Sequence, residues 1–315
     1  MPALIVCGAV AAFTLALSVF IFFYAFYSGG RKDPTYAVLR GGPYEPYRER
    51  ALALIESAVK IPFEEVLISS YDGKRLYGRF YSGRDASPVH IQFNGYRGNG
   101  LRDFSGGLQM ALARGDRVIL VDQRSHGKSD GRVITFGIRE RRDVVSWAEY
   151  AAERFGPGTK IILEGISMGA ATVLMAADAG LPDAVAGIVA DCPYSSPMKE
   201  ISLVAGKMIR IPHLCDPFIL IAGFIGGFNI LSSDAVRSVK KTPVPVLLIH
   251  GKADDFVPTE MSREIYRANP SAVTLCEIKN APHGLSSIEN RPAYVKALND
   301  FLDKLLQADA PAGKD

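Results

Sequence analysis

Ser167 lies in Gly165-Ile166-Ser167-Met168-Gly169, with a glycine two positions away on each side. A serine hydroxyl is a weak nucleophile near neutral pH and needs an adjacent base. Five histidines could supply it: His90, His126, His213, His250 and His283. An acid must then hold the imidazole tautomer and stabilise the imidazolium. Asp254 and Asp255 compete for that part in the run His250-Gly251-Lys252-Ala253-Asp254-Asp255-Phe256-Val257-Pro258, and Asp191 is a third candidate. Such a set would carry out acyl transfer, with a serine attacking a carbonyl and water releasing the acyl-enzyme. Each feature also has a plainer reading. G-x-S-x-G alone is a weak pattern, a loop Asp-Asp pair is usually solvated, and a histidine inside a strand is usually core.

The elements around these residues sharpen the choice. Short apolar runs predict strands at Glu65 to Ser69, Arg75 to Tyr81, Val89 to Phe93, Arg117 to Val121, Lys160 to Leu163, Ala186 to Ala190, Pro245 to Ile249 and Ala272 to Ile278. Helical patterns fall at about 103–114, 138–154, Ser167 to Ala177, Glu260 to Ala268 and Ala293 to Leu306. In the second of these, Val144, Trp147 and Ala148 should be buried and Arg139 to Asp143 mostly solvated. Strands alternating with helices predict an α/β fold with a mostly parallel sheet and helices on both faces. Ser167 then sits on a sharp strand-to-helix turn, where small flanking residues are needed and the helix N-terminus favours negative charge. Chemistry gathers at the C-terminal ends of parallel strands. His126, His250 and His283 all meet that condition, whereas His90 lies within a strand.

The chain order serine, acid, histidine favours His283. At this point the landmarks resemble the α/β-hydrolase superfamily, particularly its lid-bearing serine hydrolases of the serine-aminopeptidase and monoacylglycerol-lipase-like kind. The resemblance covers about residues 64–306. It rests on Asn94 to Asn99, Asp122 to Ser129, Gly165 to Gly169, His250 to Pro258 and Ala281 to Gly284, all in the family's order. It implies a Ser167-Asp254-His283 triad, selecting Asp254 over Asp255. It also implies an oxyanion hole made by the backbone N–H groups of Met168 and Tyr96. The family usually has His-Gly where this chain has Asn94-Gly95. Backbone donors do not require that histidine.

The alternation of strands and helices breaks between about Pro193 and Lys241, an interval long for a connection. It holds the uncharged apolar stretch Pro217 to Leu231, too short to span a bilayer. An inserted helical lid over 194–241 is expected, with a buried core helix as the alternative. Before the fold, Met1 to Gly30 contain no Asp, Glu, Lys, Arg or His. That run is long enough for a transmembrane helix and ends in a cluster of Phe and Tyr, as an interfacial belt would. No basic residue precedes it and no clear cleavage site follows, so it reads as an anchor rather than a signal peptide. Arg31, Lys32, Arg40, Arg48 and Arg50 follow it, which places the body on the cytoplasmic side by the positive-inside rule. The expected layout is an anchor at 1–30, a linker and amphipathic stretch at 31–60, a catalytic domain at 61–306 and a tail at 307–315.

Composition narrows the function classes. The chain has 315 residues, 48% hydrophobic and 22% charged, and a mean hydropathy of +0.11. The N-terminal segment accounts for most of that excess, and the remainder has the composition of an ordinary globular domain. A net charge of +3 with no basic block argues against nucleic-acid binding. Cys7, Cys192, Cys215 and Cys276 have no metal-ligand spacing, and acyl transfer needs no cofactor. The expected function is a membrane-anchored serine hydrolase of acyl or lipid-like esters, with a small-molecule partner. Alternatives are a peptidase of the same fold and a non-catalytic tethered scaffold. An aminopeptidase would need acids in the lid to bind an ammonium, and Glu200 and Asp216 are the only ones before Asp234.

Overall fold

The computed structural model describes residues 2–29, 34–38 and 41–307. The basic residues Arg31, Lys32 and Arg40 and the tail from 308 onward lie outside the described residues. Eight strands form one sheet: β1 Glu64–Ser69, β2 Arg75–Tyr81, β3 Val89–Phe93, β4 Arg117–Asp122, β5 Ile161–Ile166, β6 Val185–Asp191, β7 Val246–Gly251 and β8 Val273–Ile278. Their order is β1-β2-β4-β3-β5-β6-β7-β8. β1 and β2 pair antiparallel at one edge, and every pairing from β4 to β8 is parallel.

The helices are α1 Pro2–Ile21, α2 Arg48–Val59, α3 Gly100–Arg114, α4 Glu140–Phe155, α5 Met168–Met175, α6 Pro197–Ile209, α7 Asp216–Ile225, α8 Ala235–Val239, α9 Thr259–Ala268, α10 Ser286–Glu289 and α11 Arg291–Gln307. A π-helical turn, Phe22–Phe26, continues α1, and a 3-10 segment, Gly42–Tyr47, precedes α2. Side chains alternate along a strand, so each strand feeds both faces of the sheet. On one face Ile119, Leu163, Ile188 and Leu248 pack with Trp147 of α4, Val173 of α5 and Ile265 of α9. On the other, Ile162, Val189 and Leu247 meet Met110 of α3 and Phe301 of α11. Strand runs apolar throughout are what a doubly covered parallel sheet requires.

Three expectations need adjustment. Glu140 and Asp143, expected in solvent, are buried. Glu140 accepts from the backbone N–H groups of Thr135 and Gly137 at 2.8 and 2.9 Å. Asp143 takes the Arg124 guanidinium at both oxygens, at 2.5 and 2.6 Å. A buried carboxylate needs such partners, and periodicity does not show them. Next, the N-terminal segment does not separate from the body near residue 30. Phe22 and Phe26 belong to the main core, and Ser28 N–H donates to the Arg132 carbonyl at 2.8 Å. Lastly, the interval 194–241 folds into α6, α7 and α8, with α7 against α1 and its π-turn.

Candidate active site

Parallel register brings Phe93, Gly165, Ile166, Asp191 and Ile249 to one edge of the sheet. The loops that follow these strand ends carry the candidate residues. Ser167 lies between β5 and α5 with φ 54° and ψ −116°, outside the helix in which the sequence pattern places it. Its N–H donates to the Asp191 carbonyl at 2.8 Å, and its own carbonyl accepts from Ala171 N–H at 3.0 Å. Such a backbone persists only when its surroundings hold it. The flanking glycines are those surroundings. A Cβ on Gly165 would stand 2.3 Å from the Gly169 backbone, and one on Gly169 would stand 2.0 Å from the Phe93 carbonyl oxygen.

The Ser167 hydroxyl lies 2.8 Å from His283 Nε2, and His283 Nδ1 lies 2.7 Å from Asp254 Oδ2. A carboxylate can only accept, so Nδ1 carries the proton and Nε2 is left to accept from the serine. His283 tilts against Phe256, with ring centroids 5.1 Å apart. Asp254 Oδ1 accepts from the N–H groups of Phe256 and Val257 at 3.0 and 2.8 Å. Burial alone would raise the Asp254 pKa, but hydrogen bonds from His250 and His283 overcome it and hold the carboxyl at about 2. That depressed value adds stability above the unfolded pKa of 3.8, and the contribution is lost as pH falls toward 2.

The remaining histidines have other tasks. His250 is buried; its Nε2–H donates to the Val257 carbonyl at 2.9 Å and leans on Asp254 Oδ2 at 3.2 Å, while Nδ1 pairs with the Ser262 hydroxyl at 2.7 Å. It braces the acid. His126 Nε2 accepts from Arg97 N–H at 2.9 Å. His90 sits between Glu164 and Asp116 under the sheet. His213 is exposed and pairs with Asp216 on α7.

Asp255 is exposed, which leaves it apart from His283. Asp191 is buried, with Oδ1 lacking a partner among the described residues, and burial pushes its pKa to about 6. Cys192 Sγ lies within 4.8 Å of ligand atoms of Asp254 and His283. Burial pushes the Cys192 thiol up, away from the thiolate that a metal would need, and both His283 nitrogens are engaged. Hydrogen bonding, not metal ligation, is what this trio suits.

A profile described as alpha/beta hydrolase fold matches residues 92–213, which run from the end of β3 through the Ser167 turn. The chain has the α/β-hydrolase fold. The chain is 28% identical over 202 residues to protein YqkD of Bacillus subtilis (strain 168), a match that spans 63% of this chain and 66% of that protein, just under two thirds. It is 25% identical over 247 residues to protein YfhR of Escherichia coli (strain K12), spanning 76% of this chain and 80% of that protein. Among solved structures, the Pyrococcus furiosus esterase Pf2001 superposes with a TM-score of 0.63 at 22% identity, covering 79% of this chain and 93% of that one. At such identity the likeness is one of fold.

In this α/β-hydrolase fold the loop after β3 faces the serine. A Cβ on Gly95 would stand 3.5 Å from Ser167 Cβ. Asn94 is a brace: its Oδ1 accepts from Gln123 N–H at 3.0 Å and its Nδ2 donates to the Gly95 carbonyl at 2.8 Å. Asp103 accepts from Gly95 N–H at 2.8 Å. Gln123 belongs to the Asp122 to Ser129 motif, whose expected part is to tie loops beneath the site; Asp103, in the first turn of α3, was not anticipated from the sequence. Met168 N–H opens α5 directly after Ser167, and Tyr96 N–H follows Gly95.

Ser167 and His283 open into a cavity of about 600 Å³, within the usual range for small-molecule sites. Its roof is Tyr44, Tyr47, Ala51, Leu54 and Ile55, and its floor includes Phe104, Gly106 and Met110 of α3. Among the described residues, none from 194–241 lines it. The residues over the serine therefore come from 37–38 and 44–55, within the expected linker and amphipathic stretch.

Glu200 of α6 is buried near Asp254, with neither carboxylate oxygen partnered among the described residues, and burial pushes its pKa to about 8. Below pH 4.5 the side chain is neutral in both folded and unfolded chains. As pH rises toward 8 the unfolded chain ionises and the folded chain resists, so stability falls across that window. Glu200→Gln removes the ionisation. Its melting temperature should exceed the wild-type value at pH 8, and the difference should shrink toward pH 5. A constant difference would contradict this account.

Proposed function

We propose that this protein is a membrane-anchored serine hydrolase that cleaves carboxylic esters of acyl or lipid-like type. The observation that carries the reading is the relay from Ser167 Oγ through His283 to Asp254 at the mouth of an apolar cavity. Ser167 attacks the ester carbonyl as His283 takes its proton, and Asp254 stabilises the imidazolium. The N–H groups of Met168 and Tyr96 bind the oxyanion. His283 then protonates the departing alkoxide. Water, activated by the same imidazole, hydrolyses the acyl-enzyme and restores the serine.

Pro2–Phe26 forms a helix of 25 residues, long and apolar enough to cross a membrane, with 6% of its most apolar window buried. Its length and exposure support an anchor. The basic residues that follow it favour a body on the cytoplasmic side. A C-terminal reporter active only outside the cytoplasm should stay silent, and strong signal would overturn that orientation.

The apolar lining favours esters over peptides. Activity should be read on p-nitrophenyl esters of increasing acyl length beside aminoacyl amides; turnover of amides alone would overturn the ester reading. Gly106 gives a sharper test. A Cβ there would meet only Leu54 Cδ1, at 3.6 Å, so a large side chain would grow into the cavity between α3 and α2. Gly106→Phe should lower kcat/KM for decanoyl esters about 10-fold or more relative to acetyl esters. Equal losses for both lengths would place the acyl chain elsewhere.

A further inference from the structure

The N-terminal helix ends against the loop after β3 that carries Tyr96 and Arg97. Its last turn is the π-turn Phe22–Phe26, closed by Tyr27 N–H donating to the Phe22 carbonyl at 3.0 Å. A helix end leaves its last carbonyls without intrahelical donors. Here the loop after β3 supplies donors to three of them. Tyr96 Oη donates to the Ala25 carbonyl at 2.7 Å. The Arg97 guanidinium donates to the Tyr24 carbonyl and, at 3.4 Å, to the Tyr27 carbonyl. A cation at that end also meets the negative pole of the helix dipole.

Packing reinforces the contact. Phe26 is fully buried, edge-on to Phe136 at 5.7 Å, and Phe136 stacks on the Tyr96 ring at 5.0 Å. Arg97 also lies over that ring, 4.8 Å from its centre. Beyond the turn, Ile134 N–H donates to the Phe26 carbonyl at 2.7 Å and Tyr27 bridges Val133. The Tyr96 backbone N–H is the proposed oxyanion donor, and Arg97, at φ 55°, keeps the loop in a sharp bend. π-turns recur at functional sites.

We propose that this π-turn is a positioning element of the active site. Through the side chains of Tyr96 and Arg97 it sets the oxyanion loop against Ser167, so that the N-terminal helix and the site form one mechanical unit. The proposal rests on the hydrolase reading above. Tyr96 Oη and the Arg97 guanidinium act through the backbone, and both are positioning groups. Residues from Phe22 onward must stay with the body for catalysis, which a cleaved leader would not allow.

Tyr96→Phe in the full-length chain removes one hydroxyl and keeps the ring stacking. With p-nitrophenyl butyrate in detergent micelles, kcat should fall roughly 10- to 100-fold, less than the loss of a whole oxyanion donor, with KM little changed. Affinity for an alkyl boronic acid, which places an oxygen in the oxyanion hole, should fall with kcat/KM. The melting temperature should stay near wild type. Arg97→Gln should act in the same direction, and Arg97→Lys, which can still donate to the Tyr24 carbonyl, should restore most of the rate. Wild-type kcat and boronate affinity in Tyr96→Phe and Arg97→Gln would overturn the proposal, as would losses that track only the folded fraction. A wild-type protein that turns over no ester and takes no fluorophosphonate at Ser167 would overturn the hydrolase reading and this inference together.

Discussion

Ser167→Ala should lower kcat for ester hydrolysis by about 10⁴-fold or more, to the level left by binding and the oxyanion donors alone. Its backbone is strained and its Oγ lies 2.8 Å from His283 Nε2, so no other hydroxyl stands in for it. Alanine fits the same turn, because the constraint on side-chain size falls on Gly165 and Gly169. Fold and melting temperature should therefore survive. His283→Ala should cost a similar factor, and the double variant should cost no more than either single one, because the two residues act as a unit. Independent, multiplying losses would show that serine and histidine serve separate steps.

Asp254→Asn should lower kcat about 10⁴-fold, whereas Asp255→Asn should leave it nearly unchanged. The asparagine Oδ1 can still accept from Phe256 and Val257 N–H, so the loop keeps its shape. Its amide would then face His283 Nδ1 as a donor. That selects the wrong tautomer and turns Nε2–H toward Ser167, where no proton can be accepted. Asp255 is exposed and has no such contact. Asp191 is the remaining contender from the sequence. Its pKa of about 6 shows a carboxyl held by burial rather than by a cationic partner. Asp191→Asn should cost less than about 10-fold on this account. A larger loss from Asp191→Asn than from Asp254→Asn would move the acid to the end of β6.

Much of this geometry was legible in the chain. Val89 to Phe93 and Pro245 to Ile249 are short apolar runs bounded by turn residues, and such runs have little choice but a buried parallel sheet. The glycines at 165 and 169 announced a close approach of backbones, and the structure supplies the partners, Gly169 and the Phe93 carbonyl. His283 and Ser167 are 116 residues apart, yet the strand order alone brings their loops to one edge. What stayed hidden depended on partners distant in sequence. Glu140 and Asp143 look like solvated charges until Thr135 and Arg124 are placed against them. Hydropathy marks Pro217 to Leu231 as a stretch that must be covered, without saying by what; Ile219 and Ala222 are buried on the α7 helix that packs beside α1. The roof residues from 44–55 fall in a stretch that reads as linker and short amphipathic helix, and nothing in its pattern shows that Tyr44, Tyr47, Ala51, Leu54 and Ile55 meet the cavity. The Phe and Tyr cluster that ends the N-terminal run reads as an interfacial belt, and its contact with the site stays hidden because its bonds to Tyr96 and Arg97 run through backbone carbonyls.

The central claim is a covalent acyl transfer at Ser167. Wild-type protein treated with a fluorophosphonate, digested and analysed by mass spectrometry should carry one phosphonyl group on the peptide containing Ser167. Ser167→Ala should carry none, and Asp254→Asn should label far more slowly. A label on any other residue, or undiminished labelling of Ser167→Ala, would contradict the account.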